Sequence, residues 1–387
     1  MAAGAESFAS TDGTNVGHLY VHLPFCSHRC GYCDFVTVVG REEQHGAYVD
    51  ALLVELERER DVLADDLVTV FVGGGTPSFT DPDALRRMLA ALPAAAEVSV
   101  EANPETVTPE LAALLHDGGV TRVSLGAQTF SPRLLEVLER VASPDDVRCA
   151  FNTLRDASFD NVSLDLIYGI PGQEPADLDH DLAEALALAP DHLSLYELEA
   201  KPGTRFTHAW GAELERQSEA MEGYFERVVE TLTSAGYRWY ETANFCLVGE
   251  RAGGRDLRSH HNLGTWHGRD YLGVGVGAVS TLGQHRRRNG ASIGRYLGAL
   301  GSGEDPPREL EQLDARTKAQ ERVMLGLRLD EPLSLAGLEG VVDRAALARM
   351  VDGGLVIAAR GPAGEETVTL TPRGRFLGDA VTAELLV

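Results

Sequence analysis

The sequence predicts an α/β protein: a partial, TIM-like (β/α)6 barrel followed by a small winged-helix-like α+β domain. Three observations predict it. Six short β-branched runs recur before residue 240, amphipathic helical stretches separate them, and the pattern changes after that point. Strands separated by helices imply parallel pairing with right-handed crossovers. A chain of 387 residues, 44% of them hydrophobic, is long enough for one large and one smaller domain.

The elements of the barrel follow from hydrophobic periodicity. Apolar residues recur at helical spacing over 47–63, 82–92, 109–116 and 177–188, which predicts four of the intervening helices. The six predicted strands are LYVHL (19–23), LVTVFVG (67–73), EVSVEA (97–102), RVSLGAQ (122–128), NVSLDLIYG (161–169) and HLSLYELE (192–199).

The regions outside the strands complete the predicted organisation. Residues 1–17 are expected to be a flexible leader and 18–240 the barrel, with a Gly-rich extension over 241–306. Residues 307–387 are expected to form three helices, a hairpin and a last helix. From Arg308 onward this tail has 10 basic and 13 acidic residues, so we expect it to cover a substrate rather than bind DNA.

Charge and hydropathy exclude several classes of function. A formal net charge of −25 repels nucleic acids and anionic membrane surfaces. One basic stretch, QHRRRNG (284–290), is expected to be a solvated loop. No run of 18 apolar residues predicts a membrane span, and the first residues show neither the basic start nor the apolar stretch of a signal peptide. We therefore expect a cytoplasmic protein.

The loop after the first strand concentrates three of the five cysteines in the pattern CxxxCxxC: Cys26, Cys30 and Cys33. An odd number of cysteines argues against a disulfide framework. Polar and small neighbours disfavour a buried structural trio. A zinc site would need a fourth ligand, which His28 or Asp34 could supply. Three thiolates could instead hold a [4Fe–4S] cluster with one iron open to another ligand.

Polar residues mark the ends of the next four strands. GGGTP (73–77) ends the second strand, Glu101 the third and Gln128 the fourth, while Asp165 lies in the fifth. Ligands of parallel barrels bind beyond the carboxyl ends of the strands, and polar groups are costly there unless they face a cleft. These residues predict a small polar molecule beside the metal.

CxxxCxxC with an aromatic before its last cysteine, joined to GGGTP, resembles the radical S-adenosylmethionine superfamily in its coproporphyrinogen-oxidase-like branch, from about residue 19 to 297. The resemblance implies that the three cysteines hold a [4Fe–4S] cluster and that its open iron binds S-adenosylmethionine. Reduction by a flavodoxin- or ferredoxin-like donor would then give a 5′-deoxyadenosyl radical. The cofactor contacts that it implies are Tyr20, Tyr32, Gly74, Gly75, Thr76, Glu101, Gln128, Arg140 and Asp165, with Asp165 as a partner of the ribose.

Within this branch the sequence resembles the HemW-like haem chaperones more than the oxygen-independent coproporphyrinogen III oxidases. The oxidases have a further cysteine where Phe35 stands, and a longer N-terminal segment. The chaperones bind haem and deliver it to haem-requiring proteins. Their HNxxYW stretch is matched by HNLGTW (261–266), which implies that His261 ligates haem and that Trp266 stacks on the macrocycle.

Some positions depart from the family pattern and keep alternatives open. Thr265 stands in place of Tyr, Ala142 and Val279 in place of His, and Val276 in place of Pro. The alternatives are oxidative decarboxylation of coproporphyrinogen III and a related radical enzyme, such as a methyltransferase or a haem-cleaving enzyme. His261 could also be an exposed or hydrogen-bonding histidine.

Overall fold

The computed structural model describes residues 15–201 and 205–387. The strands are β1 His18–Leu23, β2 Phe25–Cys26, β3 Val38–Val39, β4 Leu67–Gly74, β5 Ala95–Ala102, β6 Arg122–Gln128, β7 Val162–Tyr168, β8 His192–Glu197, β9 Tyr237–Glu241, β10 Asn244–Leu247, β11 Leu272–Val274, β12 Val279–Leu282, β13 His285–Asn289, β14 Arg308–Gln312, β15 Leu333–Ser334, β16 Val356–Arg360 and β17 Glu366–Leu370. The α-helices are α1 His45–Arg58, α2 Pro82–Ala91, α3 Pro109–Asp117, α4 Pro132–Val137, α5 Pro144–Asp156, α6 Pro175–Leu188, α7 Arg205–Ser218, α8 Met221–Ser234, α9 His260–Trp266, α10 Ile293–Gly301, α11 Ala315–Gly326, α12 Arg344–Asp352, α13 Pro372–Phe376 and α14 Gly378–Leu385.

The main sheet has nine strands in the order β11-β1-β4-β5-β6-β7-β8-β10-β9. Its middle is the six predicted strands, β1 and β4 to β8, all parallel. The predicted α/β class is confirmed. The stretch 241–306 adds to both edges of this sheet, because β10 pairs antiparallel with β8 and β11 pairs parallel with β1.

Local sequence signals account for the helices between these strands. Proline occupies the first turn of α2, α3 and α5, where its missing N–H costs nothing. Asp81, Thr108 and Ser143 cap these helices with side-chain oxygens. Ser143 and Asp146 form a reciprocal capping box. The strands between the helices are almost wholly buried, so one apolar core runs through the barrel.

Two regions outside the barrel differ from expectation. Most of the expected leader, residues 1–14, lies outside the described residues, and Val16 after it is buried and pairs with Leu63. The basic stretch predicted as a solvated loop instead contains strand β13, held between β12 and β14. Arg287 in its centre is buried, because it pairs with Glu59 at 2.7 Å.

The C-terminal part has its own apolar core. Two α-helices, α11 and α12, precede the β16–β17 hairpin where three were expected, because the short strand β15 lies between them and pairs with β17. Strand β14 belongs to the β12-β13-β14 sheet, so the second core begins after it. Within the described part of the chain, no helix is long and apolar enough to cross a membrane.

Candidate functional site

The three cysteines of the first loop line a cavity of about 420 Å³. Strand β2 carries Cys26, and the loop that follows it carries Cys30 and Cys33. Glu101, Gln128 and the other predicted polar groups at the carboxyl ends of β4 to β7 line the same cavity. The structure therefore brings the thiols and the polar strand ends together.

Each of two thiols meets a hydrogen-bond donor. The Thr76 hydroxyl donates to Cys26 Sγ at 3.4 Å, and the Arg140 guanidinium donates to Cys30 Sγ at 3.5 Å. Burial raises the pKa of Cys26 to about 11 and also raises the pKa of Cys33. A bound metal reverses this preference, because coordination deprotonates a thiol outright.

The glycines of GGGTP let the end of β4 pack against other parts of the protein. A side chain on Gly73 would lie 2.6 Å from Glu101 Oε2, and one on Gly75 would lie 2.6 Å from the Pro24 carbonyl oxygen. Gly74 has a φ of +112° and a side chain there would meet the His22 ring. The close approach expected toward a ligand is thus first an approach between β4 and the start of the cysteine loop.

Two buried carboxyl groups stand on neighbouring strands. Glu101 accepts a hydrogen bond from the Gly74 amide at 3.0 Å, and burial raises its pKa to about 7. Asp165 accepts from the Ser124 hydroxyl at 2.9 and 3.1 Å, and burial raises its pKa as well. Glu101 can therefore exchange a proton more readily near neutral pH than an exposed carboxyl group can.

Arg140 joins the strand ends to the cysteine loop. Its guanidinium donates to the Gly126 carbonyl oxygen at 2.9 Å and to Asn103 Oδ1 at 3.1 Å, while its buried Nε has no partner among the described residues. Asn103 and Ser124 also line the cavity and were not predicted. Position was the available signal: Asn103 directly follows β5, and Ser124 lies on the same face of β6 as Gln128.

The donor set fits a multi-iron cluster. Three thiols line one cavity whose other walls carry an unpartnered guanidinium nitrogen and two carboxyl groups. The zinc alternative required the thiols to share one ion with His28 or Asp34. Both side chains line the cavity, but across residues 15–201 and 205–387 no three His, Cys, Asp or Glu side chains are grouped closely enough for one metal ion.

A second cavity, of about 600 Å³, adjoins the first. The wall between them is formed by Asp34, Phe35, Gly74 and Glu101, which line both. Tyr20, predicted as a contact of the cofactor, lies in this second cavity and not in the lining of the cysteine cavity. The second cavity also contains the remaining candidates, His261 and Trp266.

His261 lies at the start of α9, where Glu97 accepts the hydrogen bond of its backbone N–H. Its Nδ1 is 3.0 Å from the Thr69 hydroxyl, which is also 2.8 Å from His18 Nδ1. Burial, and then His18, lower the pKa of His261 to about 3. The ring is therefore neutral near pH 7, the form that ligates iron. It stacks on the Phe71 ring with an interplanar angle of 28° and centroids 5.0 Å apart.

Trp266 ends α9 and lines the same cavity. The Arg328 guanidinium lies 4.5 Å from the centre of its ring and so covers one face. Its indole N–H is buried without a partner among the described residues. Only the other face or the edge of Trp266 is therefore open to a ligand.

A parallel barrel that collects loop cysteines and polar strand ends at one rim defines a radical S-adenosylmethionine protein, and residues 20–185 match the model of the Radical SAM superfamily. The haem chaperone HemW of Mycobacterium tuberculosis (strain CDC 1551 / Oshkosh) is 37% identical over 381 residues, 95% of this chain and 94% of its own. HemW of Bacillus subtilis (strain 168) is 31% identical and covers 95% of this chain and 98% of its own. The chain belongs to the HemW family of this superfamily.

A solved structure shows the same fold over nearly the whole chain. It is the coproporphyrinogen III oxidase HemN of Escherichia coli, described as a radical SAM enzyme, with a TM-score of 0.77 and 22% identity. The match covers 96% of this chain and 90% of the oxidase. At this identity the likeness concerns the architecture alone.

Proposed function

We propose that this chain is a haem chaperone, which binds haem in the 600 Å³ cavity and passes it to a haem-requiring client protein. The observation that carries the proposal is similarity along the whole chain to proteins named haem chaperone HemW, in organisms as distant as M. tuberculosis and B. subtilis. Phe35 supports it, because the resembling oxidases have a further cysteine at that position.

The proposal assigns a [4Fe–4S] cluster to Cys26, Cys30 and Cys33. Their shared cavity supports the assignment. The hydroxyl of Thr76 and the guanidinium of Arg140 donate to two of the sulfur atoms, and such donors stabilise the negative charge of metal-bound thiolates.

S-adenosylmethionine is assigned to the rest of the cysteine cavity, where a reduced cluster supplies the electron for its reductive cleavage. The Asp165 carboxylate would accept hydrogen bonds from the ribose hydroxyls, since the hydrogen bonds from Ser124 already orient it. The backbone at Gly74, Gly75 and Thr76 would face the methionyl end. The remaining proposed contacts are Tyr32, Glu101, Gln128 and Arg140, together with Tyr20, which lines the adjoining cavity. A flavodoxin- or ferredoxin-like protein is the proposed electron donor.

Haem is assigned to the second cavity, with His261 as axial ligand and Trp266 beside the macrocycle. A neutral imidazole whose Nδ1 is hydrogen-bonded to Thr69 supports this, because the hydrogen bond orients the ring and leaves Nε2 for iron. We propose that the tail, 307–387, covers the bound haem. Arg328, which follows α11, already lies over Trp266 in this cavity.

Anaerobic reconstitution with iron and sulfide, followed by haem titration, tests the proposal. We expect the absorbance and EPR signal of a [4Fe–4S] cluster, a shifted Soret band on adding haem, and affinity at least tenfold weaker in His261→Ala. The alternative oxidase is tested with coproporphyrinogen III, reductant and S-adenosylmethionine. Turnover to protoporphyrinogen without haem binding would overturn the proposal.

A further inference from the structure

A third cavity, of about 380 Å³, lies next to the haem-binding candidate and shares Thr265 and Tyr271 with it. Its lining reverses the charge of the molecule as a whole. The chain has 59 acidic and 34 basic residues, yet the lining has one acidic side chain and four basic ones. These are Glu321 on the acidic side and Arg269, Arg286, Lys318 and Arg322 on the basic side.

Two of these cations have no carboxylate partner. Arg286 pairs with Glu321 at 2.8 Å, and Lys318 is 4.0 Å from Asp270. Arg269 and Arg322 have no Asp or Glu oxygen within 4.0 Å in the described part of the chain, and Arg322 donates only to a backbone carbonyl oxygen, at 2.5 Å. Burial, and then the charge of Arg269, lower the pKa of Arg322. Two neighbouring arginines without a carboxylate partner can both form ion pairs with a bound anion.

A third such arginine comes from strand β13. Side chains alternate across a strand, so Arg287 turns inward to Glu59 while Arg286 and Arg288 share the other face. Arg288 lines the 600 Å³ cavity and, like Arg269, makes no ion pair with any described residue. Strand β13 thus presents cations to both cavities.

The wall that the 600 Å³ cavity shares with the cysteine cavity is acidic, while Glu241 and Arg328, also in its lining, form an ion pair at 2.7 Å. The negative charge of the shared wall comes from Asp34 and from Glu101 in its ionised form. An anionic group would be repelled from that wall and attracted to the side of Arg288, Thr265 and Tyr271. The charge of the lining therefore differs between the two sides of the cavity, and a ligand with one anionic edge would bind in one orientation.

We propose that Arg288 in the 600 Å³ cavity and Arg269 in the adjoining 380 Å³ cavity, supported by Arg322, bind the two propionate carboxylates of haem, so that the anionic edge of the macrocycle points toward the 380 Å³ cavity and away from the cysteine cavity. The proposal rests on haem being the ligand of the 600 Å³ cavity. Arginine suits the task because its planar guanidinium pairs with a carboxylate through two hydrogen bonds.

The test compares haem with haem dimethyl ester, whose propionates carry no charge. Both are titrated into the full-length wild type, Arg269→Gln/Arg288→Gln, and Arg295→Gln. The control Arg295 is exposed on α10 and lines none of the three cavities. We expect the wild type and the control to bind haem at least tenfold more tightly than the ester. In the double variant the haem affinity falls about tenfold and the preference for haem disappears.

Three results separate the possible failures. Equal affinity of the wild type for haem and its ester overturns the propionate assignment and leaves the haem proposal intact. Full preference in the double variant overturns the choice of Arg269 and Arg288. No Soret change with the wild type overturns the proposed function itself. Arg269→Lys/Arg288→Lys keeps the charge, and an affinity between those of the wild type and the double Gln variant would exclude loss of folding as the cause.

Discussion

The two neighbouring cavities share one wall but are assembled in different ways. The cysteine cavity is built mainly from one loop and the ends of consecutive strands, β4 to β7, with Arg140, Glu199 and Lys201 added from other segments. The 600 Å³ cavity draws its lining from distant segments, between Tyr20 on β1 and Arg328 after α11. A short motif can therefore specify most of the first cavity, whereas the second depends on how the whole chain folds.

Electrostatics also distinguish the two cavities. Burial raises the pKa of Cys26 and Glu101 in the first, and lowers the pKa of His22 and His261 in the second, to about 4 and about 3. Without ligands, burial therefore favours the neutral forms of these four groups. A bound metal cluster would favour the ionised form of Cys26 in the first cavity, while the second already offers neutral imidazoles.

Loss of the cluster should separate the cavities most clearly. We expect Cys30→Ser to abolish [4Fe–4S] loading, because only two of the three proposed thiolate ligands would remain, while haem affinity changes less than about threefold. Iron and sulfide analysis and a haem titration measure the two effects. Cys149→Ser, at an exposed thiol on α5, is the matched control and should keep its iron. Parallel loss of haem binding would show that the cavities act as one site.

Buried charges far apart in sequence hold α1 against the region that supplies Val279 and Arg288 to the lining of the second cavity. Glu55 on α1 accepts hydrogen bonds from the Gly275 amide at 2.8 Å and the Tyr296 hydroxyl at 2.6 Å, and pairs with Arg308 at 3.2 Å. These contacts tie α1 to the β11–β14 region. We expect Arg308→Met to lower the free energy of unfolding by about 3–5 kcal/mol, because it leaves a buried carboxylate without its counter-charge.

Urea denaturation measures this loss. The control is Arg58→Met, which breaks an exposed pair with Asp305 at 3.2 Å and should cost less than about 1 kcal/mol. Equal losses in the two variants would mean that the Glu55 cluster does not stabilise this region.

The sequence predicts the barrel well because its signals are local. All six predicted strands appear within two residues of their expected bounds, since each is a short and largely buried run, and the capped helices α2, α3 and α5 separate several of them. The tail is predicted less well. Its third helix is replaced by a turn and strand β15, whose partner β17 lies more than 30 residues away.

In the candidate site too, residues set by a local motif were predicted better than residues whose position depends on distant segments. The cysteines and strand-end residues were predicted from spacing, and the structure brings them to one rim. Tyr20 was assigned to the cofactor by resemblance, and this assignment stays a prediction; with His22, on the same face of β1, it lines the 600 Å³ cavity. The cationic role of β13 was missed, since the sequence does not reveal that Arg287 turns inward while Arg288 faces the cavity.

The raised and lowered pKa values predict opposite pH dependences in the metal-free protein. Glu101 has a pKa of about 7, above its ordinary value, so its contribution to stability is present below its unfolded pKa and lost as pH rises through 7. His261 has a pKa of about 3, so its contribution is present above its unfolded pKa of about 6.5 and declines as pH falls toward 3.

Urea unfolding at pH 5 and pH 8 tests the opposite pH dependences predicted for Glu101 and His261. Between pH 5 and pH 8, the free energy of unfolding of Glu101→Gln should rise by about 2 kcal/mol relative to that of the wild type. The free energy of unfolding of His261→Asn should fall by about 2 kcal/mol relative to the wild type over the same interval. The exposed controls Glu110→Gln and His116→Asn should each track the wild type more closely. Differences of the same sign for both cavity variants would contradict the contrast between the cavities.

The smallest expected effect concerns the hydroxyl of Thr69, which contacts the Nδ1 atoms of both His18 and His261. A hydroxyl has one proton, so it donates to one neutral ring and accepts from the other. If His261 donates, its Nε2 is left with the lone pair that iron needs. We expect Thr69→Val to lower stability by about 1 kcal/mol and haem affinity about tenfold, because the imidazole loses its fixed tautomer and orientation.

Thr69→Ser keeps the hydroxyl and should restore haem affinity, whereas a purely steric role would leave Ser and Val equally impaired. The resonance Raman Fe–His stretching band of the ferrous haem complex measures the ligand directly. It should shift or broaden in Thr69→Val and keep its wild-type position in Thr69→Ser. An unchanged band and affinity in Thr69→Val would show that the second cavity orients His261 through its ring packing on Phe71 and not through this hydrogen bond.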